Sequence, residues 1–516
     1  MGGLPAGPLA GRWLVPDLAT AAAIVTFLYC LFLFEGHWKL FRDSDTGWHI
    51  RAGEAMLASR SLPRTDPYSF TRTGSPWYAW EWGADLLMGL AHRWGVAGVA
   101  LLYGCAIALC TWIWVRLHWA AGGDFLLAAA MTAPFLSTTN LHWMARPHVL
   151  SWIFLLGAVG WCERTSRQPA RFDARQLFLV AVASAAWANI HASFFMGAGI
   201  GLVYSASHLI RPLVWNFSRP AEWRTAGRFL AAAAASLAGS LANPYGWDLH
   251  RHIAAYLTDH ELMARIGEFQ SYNFHSEGSG QILLTVALAM MGGVLAWTQQ
   301  RPAHFFLAAL LVGGALRSAR ALPLVALVLL PLANGALRQA LDEAQRLRPG
   351  LRRWLTGARA YSDRLRHLDR DMRGWLWAPA ALLLAAVLLR SPGVAARTGF
   401  PRDQFPVEAA PQVESLPASA RLLAPDKFGG YLIYRFAGRR PVFFDGRSDL
   451  YGAEFMKQYG RLMQVRPGWQ EIAAPYRFTH ALLPNDYSLI PAMQAAGWLE
   501  RYRDSTATLL ERPEAP

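Results

Sequence analysis

The sequence predicts a mainly α-helical protein: a polytopic transmembrane bundle of about eleven spans over residues 1–390, followed by a small extracytoplasmic α/β domain over 391–516. Three observations carry this reading. Apolar residues make up 53% of the 516 positions, mean hydropathy is positive, and apolar runs suited to crossing ~30 Å of hydrocarbon recur along the chain. Arginines gather in a few of the loops between those runs. Beyond residue 390 the long runs stop, and short apolar stretches alternate with helical ones.

The spans fall, in order, at about 18–36, 96–117, 123–139, 147–162, 176–190, 194–210, 227–241, 281–297, 303–316, 321–337 and 375–390. Several are shorter than the ~20 residues of a straight crossing, which leaves their boundaries open. The first run is close to the length of a real span and has no small-residue cleavage site behind it, so it reads as a span and not as a removed signal peptide. A long first loop, 37–95, follows it. There "LPRTDPYSFT" (62–71) reads as turns, and 80–93 as a helix lying along the surface. In the last segment "ARLLAP", "GGYLIYRF", "RPVFFDGRSDLYG", "HALLPND" and "TATLLERP" supply the short apolar stretches of the α/β domain. Asp445, Arg447 and Asp449 stand on a loop after an apolar strand. They suit a ligand-binding loop or an internal salt bridge about equally.

The formal charge of +14 reflects a positive-inside bias and not nucleic-acid binding, because the arginines are confined to particular loops. Arg164, Arg167, Arg171 and Arg175 follow span four, and Arg211, Arg219, Arg224 and Arg228 follow span six. The amphipathic segment Arg338–Arg373 separates spans ten and eleven. Counted from a cytoplasmic N-terminus, all three fall on the cytoplasmic side. A bacterial inner (cytoplasmic) membrane protein is expected, with the first loop and the C-terminal domain in the periplasm. Cys30, Cys105, Cys110 and Cys162 lie in or beside apolar spans and read as small buried hydrophobes. No GxGxxG, Walker loop, CxxC or HExxH is present, so nucleotide and zinc chemistry have no support.

Polar chemistry collects on the predicted outer face. "FRDSDTGWHIR" (41–51) opens the first loop with Asp43 and Asp45, and the same loop adds His49, Asp66 and Glu81. "NLHWMARPH" brings His142, Arg146 and His148; "WANIHASF" brings Asn189 and His191. "RIGEFQSYNFH" holds Glu268 and His275, and "RSAR" holds Arg317 and Arg320. Each has a plainer role: a helix cap for the aspartates, snorkelling to headgroups for the arginines, an interfacial position for the histidines. Their convergence on one face from five loops favours a site, since ionisable groups at membrane depth are costly. Two carboxylates spaced D-x-D can hold a divalent cation such as Mg or Mn, or one can act as a base toward a hydroxyl. The guanidinium fork matches phosphate oxygens, so the arginines suit a phosphate leaving group.

On these residues the chain resembles the GT-C superfamily of polytopic glycosyltransferases, which use polyprenyl-phosphate-linked sugar donors and carry an acidic motif in the first extracytoplasmic loop. Asp45, Trp48 and Arg51 are similar to the aspartate–aromatic–arginine run of the oligosaccharyltransferase catalytic subunit, with the tryptophan one place later. The Asp-Glu of protein O-mannosyltransferases and of lipid A aminoarabinose transferases is absent, as is a WWD-type acceptor motif. The resemblance covers roughly residues 15–390 and implies Asp45 and Asp43 as catalytic or metal-holding acids. Glu81, Arg146, His191, Glu268, Arg317 and Arg320 are substrate-binding candidates on position and chemistry alone. The expected activity is transfer of a sugar from a polyprenyl-phosphate donor to a glycan, lipid or protein acceptor of the cell envelope, with no nucleic acid involved. A non-catalytic role in transport or assembly for polysaccharide export is the alternative; no internal repeat supports it.

Overall fold

The structure is a computed structural model that describes residues 12–33, 36–343 and 347–513. Helix occupies every one of the predicted apolar runs. The end of the first span at residues 34 and 35, and residues 344–346 of the arginine-rich segment, lie outside the described residues. Among the described residues, four helical stretches are long and apolar enough to cross a membrane: Trp82–Ala120, Ala192–Val214, Ser279–Thr298 and Ala319–Asp342. Leu18–Phe32, Ala174–Ala188, Pro302–Arg317 and Trp377–Leu388 are shorter apolar helices. The bundle turns Phe178, Val182, Leu230, Leu237, Met290, Val294 and Leu383 outward, an apolar surface suited to lipid and not to water.

Prolines shape the bundle. Pro323 and Pro331 bracket a buried π-helical stretch, Val325–Leu329. Such a stretch leaves backbone carbonyls without their usual partner, and the buried Trp114 indole N–H donates to the Ala326 carbonyl at 3.1 Å. Pro147 opens the helix Pro147–Arg167, and Arg146 before it is extended at φ −132°, ψ 151°. A residue preceding proline is pushed out of the helical region, which turns the Arg146 side chain away from the helix it precedes.

After the short helix His37–Leu40, the first loop carries two longer helices, Asp45–Ser59 and Trp82–Ala91. They meet through glycines: a Cβ on Gly53 would stand 1.8 Å from the Asp85 carbonyl oxygen. The C-terminal segment contains a four-stranded sheet of β1 (Leu422–Leu423), β2 (His480–Pro484), β3 (Leu499–Arg503) and β4 (Ala507–Glu511), in the order β1-β2-β4-β3. β1 runs parallel to β2, and the other pairings are antiparallel. The buried members of one cluster all belong to the segment, among them Phe443, Phe444, Tyr451, Phe455 and Trp469, with Phe70 of the first loop packed against them. The other is shared: Phe405, Phe428, Tyr431 and Leu509 pack with Trp48, Met56, Tyr68 and Trp77 of the first loop.

One stretch differs from the sequence reading, the expected strand before Asp445, and "GGYLIYRF" lies in the helix Asp426–Arg435. Its glycines let that helix approach other backbone, since a Cβ would stand 2.0 Å from the Phe444 carbonyl oxygen at Gly429 and 2.2 Å from that of Ser44 at Gly430. The apolar stretch before Asp445 does not join the sheet. It pairs with the first loop, Val442 donating to the Tyr68 carbonyl at 2.9 Å and Phe70 to the Val442 carbonyl at 3.0 Å.

Gly47 gives a test of this docking. Alanine inside a helix normally stabilises by about 1 kcal/mol over glycine, yet a Cβ here would stand 2.2 Å from the Gly430 carbonyl oxygen. Gly47→Ala is expected to destabilise by roughly 1–3 kcal/mol, the usual cost of overpacking, read as a lower Tm in detergent. A raised Tm would show that the two helices do not touch there.

Candidate active site

The stretches 40–46 and 140–146 run beside each other and fix the site's geometry. The Ala145 amide donates to the Leu40 carbonyl at 2.7 Å, and the Thr46 hydroxyl to the Ala145 carbonyl at 3.1 Å. Arg42 donates to the Asn140 carbonyl at 3.1 Å. These contacts carry Arg146 to the start of the Asp45–Ser59 helix. There its guanidinium meets Asp43 at 2.9 Å, Asp45 at 2.8 Å and Glu268 at 3.2 Å. Glu268 also lies 3.4 Å from Arg320, and the Asp45 amide donates to the Asp43 carboxylate at 2.9 Å.

A second chain of titratable groups runs beside the first. His49 Nδ1 is 2.6 Å from Asp85, and its Nε2 is 3.8 Å from Glu81. Glu81 is in turn 3.4 Å from His191 Nε2. The Ser193 amide donates to His191 Nδ1 at 3.1 Å, so in the neutral ring the proton sits on Nε2, facing Glu81. The C-terminal segment closes the remaining side. Arg447 donates to both oxygens of Asp445, at 2.8 and 2.7 Å, and to Asp66 at 2.7 Å, all three side chains being buried. Its guanidinium lies over the ring of Trp77 at 4.8 Å. Gly446 touches the Asp45 carboxylate, leaving no room for a Cβ.

Between these groups lies a cavity of about 160 Å³, lined by Asp45, Trp48, Trp80, Glu81, Asp85, Arg146, His191, Tyr256, Arg320, Arg447 and Asp449 among others. Among the described residues, Trp48 Nε1, Arg146 Nε and Arg447 Nη1 are buried without a hydrogen-bond partner. Buried donors are rarely left so, and all three belong to residues that line the cavity. The arrangement suits an oxygen-rich ligand.

Electrostatics divide the carboxylates. Burial pushes Asp45 up to about 7 against the pull of Arg146, with Asp43, Asp445 and Glu268 adding to the rise. Burial likewise pushes Glu81 up to about 7. For Glu268 burial is outweighed by Arg320 and Arg146, which hold it down at about 2. Burial and the nearby arginines depress His191 and His49 well below their ordinary value, so both rings are neutral near pH 7.

No protein-family model and no curated protein matches the chain. A solved structure of the archaeal oligosaccharyltransferase AglB from Archaeoglobus fulgidus, in complex with an inhibitory peptide and a dolichol-phosphate, is similar to it with a TM-score of 0.53. The match is 10% identical and covers 90% of this chain and 69% of that one. The chain shares the fold of that structure. A structure of ArnT from Cupriavidus metallidurans bound to undecaprenyl phosphate also matches, at TM-score 0.47 and 16% identity, over 97% of this chain and 98% of that one.

Within this fold, five of the eight sequence-predicted residues line the cavity: Asp45, Glu81, Arg146, His191 and Arg320. Asp43 and Glu268 are held against Arg146 at its edge. Arg317 is not brought in. It ends its helix with an exposed side chain, because the chain turns between it and Arg320. Asp85 is an addition from the structure. It stands four residues after Glu81, the spacing that puts two helical side chains on one face, and that signal is present in the sequence. Asp449 faces His252 at 3.3 Å, while Asp445 and Arg447 form the internal salt bridge. His142 and His148 are buried nearby and His275 is exposed.

The divalent cation expected from the Asp43–Asp45 pair does not fit this arrangement. The charge between Asp43, Asp45 and Glu268 is the Arg146 guanidinium, bonded to all three. Among the described residues no group of three or more His, Cys, Asp or Glu is arranged to hold a metal ion.

Glu81 gives a pH-dependent test. Its folded-state pKa lies above its ordinary 4.5, so the wild type loses stability as pH rises from about 4.5 through about 7. Glu81→Gln lacks that loss. At 1.36 kcal/mol per unit, the variant is expected to be roughly 1–3 kcal/mol more stable than wild type at about pH 8, with the gain vanishing toward about pH 4.5. Thermal unfolding across that range measures it. A variant less stable at high pH would mean that the contacts of Glu81 with His191 and His49 outweigh its burial.

Proposed function

We propose that the chain is a membrane glycosyltransferase that moves a sugar from a polyprenyl-phosphate-linked donor to a hydroxyl-bearing envelope acceptor at the periplasmic face. On this reading all eleven apolar helical stretches cross the inner membrane, the N-terminus is cytoplasmic, and the C-terminal segment is a periplasmic α/β domain. The observation that carries the proposal is Asp45: a buried carboxylate at a cavity wall, held by one arginine and raised to about 7. A base poised near neutral pH combines availability with driving force. The AglB structure, which shares the fold, was solved with a dolichol-phosphate, and this supports a polyprenyl-phosphate donor.

In the proposed step, Asp45 accepts the proton of the acceptor hydroxyl as that oxygen attacks the anomeric carbon. The bond from that carbon to the donor phosphate breaks, and the phosphate leaves with the electron pair. Arg320 and the free Arg146 Nε edge stabilise the charge that develops on it. Asp43 and Glu268 position Arg146 and through it Asp45. No step runs through a metal ion, so transfer is expected to survive chelation by EDTA.

The test is transfer of labelled sugar from lipid donor in detergent, at matched expression. Asp45→Asn keeps size and fold, and its transfer rate is expected to drop at least a hundredfold, within the ~10²–10⁴-fold that base catalysis contributes. Asp43→Asn is expected to lose less. The wild-type kcat/KM should rise with pH to a plateau above about 7, because Asp45 must be ionised to act. Full activity in Asp45→Asn would overturn the catalytic role and favour a transport or assembly component.

A further inference from the structure

A second polar cavity, of about 180 Å³, lies at the far end of the bundle between the ends of the helices Pro147–Arg167 and Phe195–Val214 and the start of Pro302–Arg317. The first of these helices begins beside Arg146 and ends at Arg167. Its 21 residues put the two cavities about 30 Å apart at 1.5 Å per residue.

Three guanidinium groups line this cavity, those of Arg167, Arg211 and Arg301, against one carboxylate, Glu163. That carboxylate is fully engaged. One oxygen accepts from the Tyr204 hydroxyl at 2.6 Å and faces His304 Nε2 at 2.7 Å, and the other lies 3.7 Å from Arg167. Glu222, on the neighbouring helix, is taken by His208 at 2.6 Å and Arg211 at 3.2 Å. The arginines are fixed yet not used up. Arg211 bonds Glu222 through Nη1, and Arg301 donates to Gln339 through Nη2 at 3.0 Å. Arg211 Nε and Arg301 Nη1 remain buried without a partner among the described residues, as does Nδ1 of His304, a side chain only 5% exposed.

Arginines that serve only packing have their buried N–H groups paired. Here two unused N–H groups, a surplus of positive charge and the positive end of the Pro302–Arg317 helix meet at one cavity, the pattern that recognises an oxyanion. Aromatic rings stand close in sequence to the cavity's arginines: Trp297 lies 5.1 Å from Trp215 and 5.2 Å from Phe305. Such clusters mark the level of lipid headgroups.

We propose that this cavity binds a phosphate-class anion, the phosphate of a lipid headgroup or a free phosphate. The full chain, purified in non-ionic detergent, is titrated with inorganic phosphate against chloride at matched ionic strength, with Tm as the readout. It is also reconstituted in phosphatidylcholine nanodiscs with and without phosphatidylglycerol. Stabilisation by phosphatidylglycerol alone identifies a headgroup site, and stabilisation by phosphate identifies a site open to the free anion. The apparent affinity is expected to fall at least tenfold in Arg211→Gln/Arg301→Gln. Gln300→Glu, a near-isosteric change that adds a carboxylate to the cavity wall, is expected to do the same and remains informative if the double variant fails to fold. No stabilisation by either probe, or equal stabilisation of wild type and Gln300→Glu, would overturn the proposal.

Discussion

One guanidinium governs the candidate active site. Among the described residues, Arg146 alone contacts Asp43, Asp45 and Glu268 at once, and those carboxylates come from two loops far apart in the chain. Unit charges 4 Å apart at an effective dielectric of 20 interact by about 4 kcal/mol, so three carboxylates gathered without a central cation would drive their loops apart. Arg146 is itself placed by local chemistry: Pro147 keeps its backbone extended, and the Leu40–Ala145 hydrogen bond ties its loop to the one that carries the aspartates. Removing one partner of such a buried arrangement strands the others, commonly at 3–5 kcal/mol. The same arrangement explains why the site holds two kinds of carboxylate. Glu268, beside two arginines, stays ionised at any ordinary pH, whereas Asp45 shares one arginine with two other acids and is more deeply buried.

A second arginine performs the corresponding task for the C-terminal segment. Arg447 joins Asp445 of its own loop to Asp66 of the first loop under a lid of aromatic rings. Gly446 between them brings backbone against the Asp45 carboxylate. Thus one wall of the cavity is built by residues about four hundred positions after Asp45, and its position depends on backbone contacts that only glycine permits.

Much of the helical architecture was legible in the sequence because apolar runs must be helical wherever they face lipid. The acidic pair, Arg146, His191 and Arg320 were also legible, since charge beside apolar runs is conspicuous. Other parts were not. The "GGYLIYRF" stretch has the aromatic, β-branched look of a strand, and only the tertiary approach of Ser44 and Phe444 explains why its glycines sit in a helix. Asp66 read as a turn residue from its Pro67 neighbour, and its buried partner lies 381 positions on. Arg317 looked equivalent to Arg320, but the turn through Ser318 and Ala319 separates an exposed side chain from one in the cavity. Whether Asp445 and Arg447 bind a ligand or each other is decided by what surrounds them, and local sequence does not encode that.

The core shared by the first loop and the C-terminal segment has a consequence for biogenesis. Trp48, Tyr68 and Trp77 are completed only by Phe405, Phe428 and Tyr431, residues made about 350 positions later. At a synthesis rate of ~5–20 residues per second, the first loop waits roughly 20–70 s before its partner leaves the ribosome. Through that interval its tryptophans have no permanent cover, and the pocket that Asp45 belongs to has no opposite wall. The site is therefore assembled last, by the arrival of the chain's final quarter, and a ribosome that stops early leaves a membrane bundle with an unfinished centre.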